Sequence, residues 1–598
     1  MFVRRNTVAA IVGLLLAAAC GGDSAPAPTN PGGSGGPGPT GTTPTPVTDL
    51  SATAVSATSI RVSFTSHAGD VSYTIERAEG TGGTFATAST LAAPSAASPL
   101  AFTDAGLKPA TLYRYRAISV GASSSSSPSA EASATTLIVP TNGAADITGD
   151  ITTSRTLTSD TVYTLKGFIH VTNGATLTIQ PGTTIKGDFN TLGSSLIVMR
   201  GAKIQAVGTP AAPIVFTSSR PAGSRQPGDW GGLVIVGNGI DNRSGAIALD
   251  GTGTDGTAVV SGKNYQIIYT GGSVPTDNSG TLSYVRVEFA GYSPTAGGGI
   301  GAFTFAAVGS GTRISYLQSV ASLGDAFGFA GGALDGDHLV AYESGDDMLD
   351  FSEGFSGRLQ YLIGFKSQAI TPRSAAGSPS NDVQGIESDG CFGTGCASLF
   401  NTTPFTVPLV ANFTLVGCGA TACTNGSDGG VGMMIRRGSG GYFINGVVAR
   451  YPAAGISVRD QETFQRANLA TVPDPAASDL LVRNIYFSEV PTSLFQIASP
   501  ANPLQFSFDL SASGLTNGVA VTQALFTSVP TPGAIPTDVS ALDWTPLSSA
   551  PIGNGGMVAL LGRILGKASG FVTGTSYLGA AAPGGTKWWA GWTVYARN

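Results

Sequence analysis

Asp346, Asp347, Asp350 and Glu353 fall within the fourteen residues SGDDMLDFSEGFSG, in a chain that is only 11% charged. Three chemistries suit such a group. Asp beside Gly supplies turns, its side chain accepting backbone N–H bonds. Carboxylates from neighbouring loops suit Ca²⁺, for which Asp325, Asp346, Asp347 and Asp350 are the candidate ligands, although no D-x-D-x-D-G loop occurs. Carboxyls can also act as acid and base on a glycosidic bond, or work beside a cation that abstracts a proton. The candidates for that role are Asp346, Asp347, Asp350, Glu353 and Arg358, with Lys366, Glu387 and Asp389 behind them. Spacing singles out no acid from a base, so turn chemistry leads, calcium follows and catalysis comes last. Arg436 and Arg437 are the other polar concentration; adjacent strand residues face opposite ways, so at most one is expected to join the acids. The only histidines are His67, His170 and His338, and no G-x-S-x-G, Walker or H-E-x-x-H motif is present.

The elements that must position these residues repeat. NGATLTI and RGAKIQA align with Gly174 and Gly201 27 residues apart. Further on, SLGDAFGFAGG aligns with SGDDMLDFSEG at 22 residues, which sets Asp325 over Asp347, Phe329 over Phe351 and Leu339 over Tyr361. His338 then takes the position of Tyr316 and Gln360 in neighbouring units, and Asn412, Asn445 and Asn484 lead three later strands. Short β-rich units cannot each bury an apolar face and must stack to close a core. A right-handed parallel β-helix is the expected fold, with a β-propeller as competitor. The asparagines are expected at inward turns, bonded to backbone and to one another. Equivalent acids on adjacent coils would then lie about 5 Å apart and repel unless a cation or hydrogen bonds intervene. Trp230, Tyr284, Tyr292, Tyr316, Tyr342 and Tyr361 are expected in core or loop packing, and Trp588, Trp589 and Trp592 in a cap.

The N-terminus reads MFVRRNTVAAIVGLLLAAAC, two arginines before an apolar run too short to span a bilayer, as in a signal peptide. Ala17, Ala18 and Ala19 before Cys20 resemble the lipobox of bacterial lipoproteins, with Ala17 where that family prefers Leu. The resemblance implies a lipidated Cys20, and Gly21 in place of Asp favours the outer membrane. Residues 21–45 are almost wholly Pro, Gly, Ser, Thr and Ala, a disordered linker reaching on the order of 80 Å when stretched. Cys391, Cys396, Cys418 and Cys423 form two C-x4-C pairs, an even number in an exported chain. Local disulfides 391–396 and 418–423 are expected; zinc is the rival, without a nearby histidine.

Between 46 and 137 short alternating runs separated by turns argue a β-sandwich. Leu107, Pro109, Thr111 and Tyr113 resemble the L-x-P-x-T-x-Y signature of the fibronectin type III family, with Phe64 where members commonly carry Trp. The resemblance implies that Tyr113 folds its hydroxyl back onto the backbone. LTIQPGTTIKG, LIVMRGAKIQAVGTPAAPIVFTSS, WGGLVIVG and KWWAGWTVYARN are similar to a family of bacterial surface β-helix proteins, often lipoproteins, with no established activity. The expected all-β organisation is a signal peptide (1–20), linker (21–45), fibronectin type III domain (46–137), parallel β-helix (141–495) and an irregular C-terminal cap (496–598). A net charge of −6 offers no basic footprint for nucleic acid. The expected function is that of a lipid-anchored protein at the surface of the outer membrane, binding or displaying a ligand such as polysaccharide without catalysis or obligatory cofactor. The alternative is a polysaccharide lyase or glycoside hydrolase, chemistries that this scaffold hosts elsewhere.

Overall fold

The computed structural model describes residues 43–137, 143–249, 251–252, 259–260, 263–264, 266–295, 298–393, 395–419 and 429–595. The expected signal peptide with Cys20, nearly all of the 21–45 linker, and Cys423 lie outside these residues.

Alternation in the first domain produces two antiparallel sheets. Ser51–Ser56, Ser59–Thr65 and Pro99–Ala105 form one; Ala86–Ala92, Ser72–Glu79, Leu112–Val120 and Ala132–Thr135 form the other. Every second residue points inward: Ile60, Val62 and Phe64 from one sheet meet Tyr73, Tyr113, Tyr115 and Ala117 from the other. The Lys108 N–H donates to the Tyr113 hydroxyl at 3.0 Å, closing the strand corner that the fibronectin resemblance implied. Phe64 packs edge-on against Tyr73 at 4.9 Å.

From Gly143 the chain winds as a parallel β-helix. One sheet runs from Gly143–Ile147 to Leu515–Gly518, the other from Phe168–Val171 through Ala454–Arg459, and successive coils pair in parallel. The 27-residue step is a true coil, for Thr176 pairs with Lys203 and Leu177 with Ile204. So is the 22-residue step, which sets Phe327 on Leu349 and Phe329 on Phe351. The inward rings stack accordingly, with centroids 5.3 Å apart for Phe305 and Phe329 and 5.4 Å for Phe329 and Phe351. Leu339, however, pairs with Leu362 and not with Tyr361. The turn Glu353–Gly357 is one residue longer than its predecessor, so this sheet steps by 23 residues.

The long strands bend at one left-handed residue each. Tyr284, Tyr316, His338, Tyr361, Asn412, Asn445 and Asn484 all have φ between 50 and 65°. Strand pairing passes over them: Ser283 meets Ser315 and Val285 meets Leu317, with Tyr284 and Tyr316 between. Their side chains point out of the coil. Tyr284, Tyr316 and His338 stack with centroids 4.4 Å apart, and His338 meets Tyr361 at 4.9 Å, so Tyr361 takes the place that the sequence repeat gave to Gln360.

The asparagines do not bond in an inward ladder. Asn412 donates to Thr575 Oγ1, Asn445 to Thr575 Oγ1 and the Met557 carbonyl, and Asn484 to the Gly555 carbonyl. Their partners belong to the C-terminal segment, which was expected to close the coil end. Instead this segment lies along the flank, because the outward side chains of the long strands are apolar and need a cover. Trp544, Ile552, Trp589 and Trp592 pack on Tyr342, Phe365, Val416 and Val447, while Ile564, Ala568 and Val572 pack on Leu409, Tyr442 and Leu481. Trp592 meets Tyr284 edge-on at 5.6 Å and Trp588 meets His338 at 4.8 Å. The coil itself continues one rung past residue 495, to Leu515–Gly518.

Trp544 is fully buried, donates to the Tyr342 hydroxyl at 3.0 Å and touches Phe365 and Phe526. Trp544→Ala should cost about 3–5 kcal/mol in a denaturant titration. Limited proteolysis of the variant should cut first within 526–595, and an unchanged cleavage pattern would refute this role for the strap.

Candidate functional site

The acids gather because coil stacking superimposes them. Gly328, Asp350 and Glu387 are register partners on three successive strands of the second sheet. Asp325, Asp346 and Asp347 stand in the turns that lead into two of those strands, and the Asp347 N–H donates to Asp325 Oδ1 at 3.1 Å. Gly328 adds no side chain to the row, so the face sinks into a cleft of about 500 Å³. Its lining includes seven carboxylates (Asp325, Asp346, Asp347, Asp350, Glu353, Asp382 and Glu387) and three guanidiniums (Arg243, Arg436 and Arg437).

One end of the cleft is neutralised. Arg436 contacts Asp382 at 2.7 Å, Glu387 at 2.6 Å and Asp389 at 2.9 Å. Arg437 also reaches Asp389. Both neighbouring arginines thus join the acids, contrary to strand alternation, because the strand Val431–Arg436 ends there and Arg437 turns at a φ of 57°. Arg243, brought from a distant loop, pairs with Glu353 Oε1 at 2.8 Å and donates to the Phe392 carbonyl. Phe392 N–H donates to the same Glu353 oxygen at 2.7 Å, so the Cys391–Cys396 disulfide loop forms a wall of the cleft. Cys418 is also disulfide-bonded.

The other end carries more acid than matching positive charge. Among the described residues Asp346, Asp347 and Asp350 form no ion pair. Lys366 approaches Asp346 but donates its hydrogen bond to the Ser344 carbonyl. Burial first, and then repulsion from Asp325, hold the Asp346 carboxyl well above the ordinary range. Burial followed by Glu387 does the same to Asp347, and burial followed by Asp325 to Asp350. Glu387 is raised mainly by burial against the pull of Arg436. Glu353 rises to about 7, again through burial, with Arg243 opposing.

Asp325, Asp346 and Asp347 each offer one oxygen, all within 4.8 Å of one another, which is the arrangement able to hold a cation. Asp350 lines the same cleft beside them. Arg358 does not belong here. It lies on the other sheet, paired with Asp335 at 2.5 Å, and donates to the Ala568 carbonyl in the flanking segment. Sequence spacing could not reveal Arg243 or Asp382, which come from loops outside the coil repeat. His338 bonds Asp337 at 2.6 Å within the outward stack, on the sheet that does not carry the acid row.

The raised carboxyls give stability a pH slope of known sign. Each binds its proton more tightly folded than unfolded, so stability is highest below the ordinary carboxylate range and falls as pH rises from about 4 through the raised values. In buffers containing a chelator, the denaturation midpoint should decline from about pH 5 to about pH 8. Asp350→Asn should flatten that decline and raise the midpoint at the alkaline end. A midpoint that climbs with pH, or a variant with the slope of the parent, would contradict this electrostatic account.

A model of the pectate-lyase-like β-helix domain matches residues 149–525. Among solved structures, a fibronectin-III-like protein from Clostridium thermocellum is 27% identical, covering 15% of this chain and 92% of its own at a TM-score of 0.14. The FN5 domain of Drosophila Lar is 23% identical, covering 16% of this chain and 98% of its own at the same TM-score of 0.14. No curated protein gives a significant match. The family model spans the coils that carry the acidic cleft and well over half of the sequence, and over that span the chain belongs to the pectate-lyase-like β-helix domain family.

Proposed function

We propose that this protein binds polysaccharide in the acidic cleft, without cleaving it, while anchored through a lipid on Cys20 to the surface of the outer membrane. The linker and the fibronectin type III domain act as spacers that carry the β-helix clear of the headgroups. The observation behind this reading is the cleft itself. Its volume of about 500 Å³ suits a small-molecule or glycan unit, and its carboxylates, guanidiniums and the half-buried Phe392 offer both hydrogen bonds and an apolar wall to a sugar ring. Calcium fits as an accessory, held by Asp325, Asp346 and Asp347 with water completing the shell.

A second reading has one observation in its favour. Asp346, Asp347, Asp350 and Glu387 are carboxyls with raised proton affinity gathered in one cleft, a condition that general acids share. Against it, Arg358 faces away, and Arg436 is held by three carboxylates.

A glycan array followed by product analysis separates the two. Retention of at least one polysaccharide class with intact chain length is expected. New reducing or unsaturated ends would replace binding with catalysis, and an array with no retained glycan would remove the binding reading. For the anchor, Cys20→Ser should shift the protein from the membrane fraction to the soluble exported fraction; an unchanged membrane fraction would refute lipidation at this residue.

A further inference from the structure

The coil has a sheet edge that the strap leaves open. Leu515–Gly518 is the last strand of the long sheet, pairing in parallel with Leu480–Ser488 and, among the described residues, with no strand on its other side. The outward row of its backbone N–H and C=O groups is a template for a further strand. A C-terminal segment folded over the coil end would have covered this edge, but the segment runs along the flank. Rings fill the mouth of the coil instead, with Phe464 stacked on Phe506 at 4.4 Å and Phe508 tilted against Phe464. They close the interior and leave the rim bare.

That rim is apolar. Between 143 and 468 the described residues expose only four large apolar side chains, Val207, Ile240, Ile268 and Val274. Residues 472–521 expose six, Val472, Ile497, Leu504, Leu510, Val519 and Val521, with Val519 fully in water. The Asp509 N–H donates to the Thr471 carbonyl at 2.8 Å, which brings the neighbouring Val472 and Leu510 to one side of the end. Charge is almost missing here. In a chain that is 11% charged, residues 490–537 hold a single charged side chain, Asp509. Exposed edge strands are ordinarily guarded by lysine or proline, and Leu515–Gly518 carries neither.

We propose that this edge docks a second copy of the chain, end to end, with Leu515–Gly518 pairing antiparallel to its own copy about a two-fold axis through Thr516. That axis sets Thr516 opposite Thr516 and Leu515 opposite Asn517, so side chains of one face stay together. Threonine opposite threonine is a favourable cross-strand pair, and an edge without charge meets itself without repulsion. Val519 and Val521, which follow the strand, then meet the Leu510 that precedes it in the other copy, and this buries apolar surface on both. The edge at the far end of the same sheet, Gly143–Ile147, carries Asp146 and follows the sandwich domain in the chain. Contact at the neutral edge alone closes after two copies.

Sedimentation equilibrium of the full chain carrying Cys20→Ser, which removes any association through lipid, tests this. A dimer and no larger species is expected across a dilution series. Val519→Lys combined with Val521→Lys should raise the dissociation constant about ten-fold or more, because the two-fold axis brings the new charges of both copies together. Both side chains are exposed, so the denaturation midpoint should hold. Thr516→Cys should cross-link to its own copy under mild oxidation, since directly opposed strand residues lie within disulfide reach. Val207→Cys, an equally accessible site on an earlier coil, should not. A monomer at every concentration, a dimer untouched by the lysines, or equal cross-linking of the two cysteine variants would overturn the proposal. Species that grow beyond two copies would overturn it in favour of open stacking.

Discussion

Strand stacking imposes one spacing, about 4.8 Å, on everything the coils carry. Backbone hydrogen bonds between successive coils fix the register, and each side chain then meets its equivalent one coil away. Apolar and aromatic residues gain from this repetition, as in the inward ladder of Phe305, Phe329 and Phe351. Carboxylates lose by it. The step that puts Phe351 on Phe329 also puts Asp347 against Asp325, and the next coil sets Glu387 beside Asp350. The acidic cleft is thus a direct product of the fold, and its chemistry depends on which acids receive a counter-charge. Arg436 answers Asp382, Glu387 and Asp389, while Asp346, Asp347 and Asp350 are left to repel one another and to bind protons or a cation.

The second consequence of a coil is an outer surface with no layer above it. Over the long strands that surface is apolar, and the segment 526–595 covers it as a strap. Its attachment combines burial of Trp544 and Trp592 with hydrogen bonds from the asparagines at the left-handed bends. Asn tolerates positive φ better than most residues and carries an amide, so one residue type satisfies both the bend and the clasp. Further back along the coil the bend is occupied by Tyr284, Tyr316, His338 and Tyr361, which pay for the strained backbone with ring stacking and receive Trp588 and Trp592 edge-on. With one sheet flank closed by the strap, the cleft lies on the other sheet, bounded by loops that depart from the repeat.

Much of this was legible in the residues. The steps of 27 and 22 residues and the superposition of Asp325 on Asp347 follow from local pattern, and the tyrosine corner at Tyr113 is what the fibronectin resemblance implies. A single residue of turn length is enough to break that pattern. The longer turn Glu353–Gly357 shifted Leu339 onto Leu362, and the left-handed Arg437 brought two adjacent arginines to one carboxylate. Arg358 is near the acids in sequence, but a coil sends residues a few places apart to different faces, and it pairs with Asp335 on the other sheet.

Sequence alone determined the coil, the sandwich and the identity of the acids, because periodic burial and turn chemistry are properties of short segments. The tertiary structure decided which acids are neutralised, which loops wall the cleft and where the C-terminal segment lies. These depend on contacts such as Arg243 with Glu353, 110 residues apart, and Asn412 with Thr575, 163 apart. No local pattern encodes such distances, since they are set by how many residues each coil and loop consumes before the chain returns to the same face.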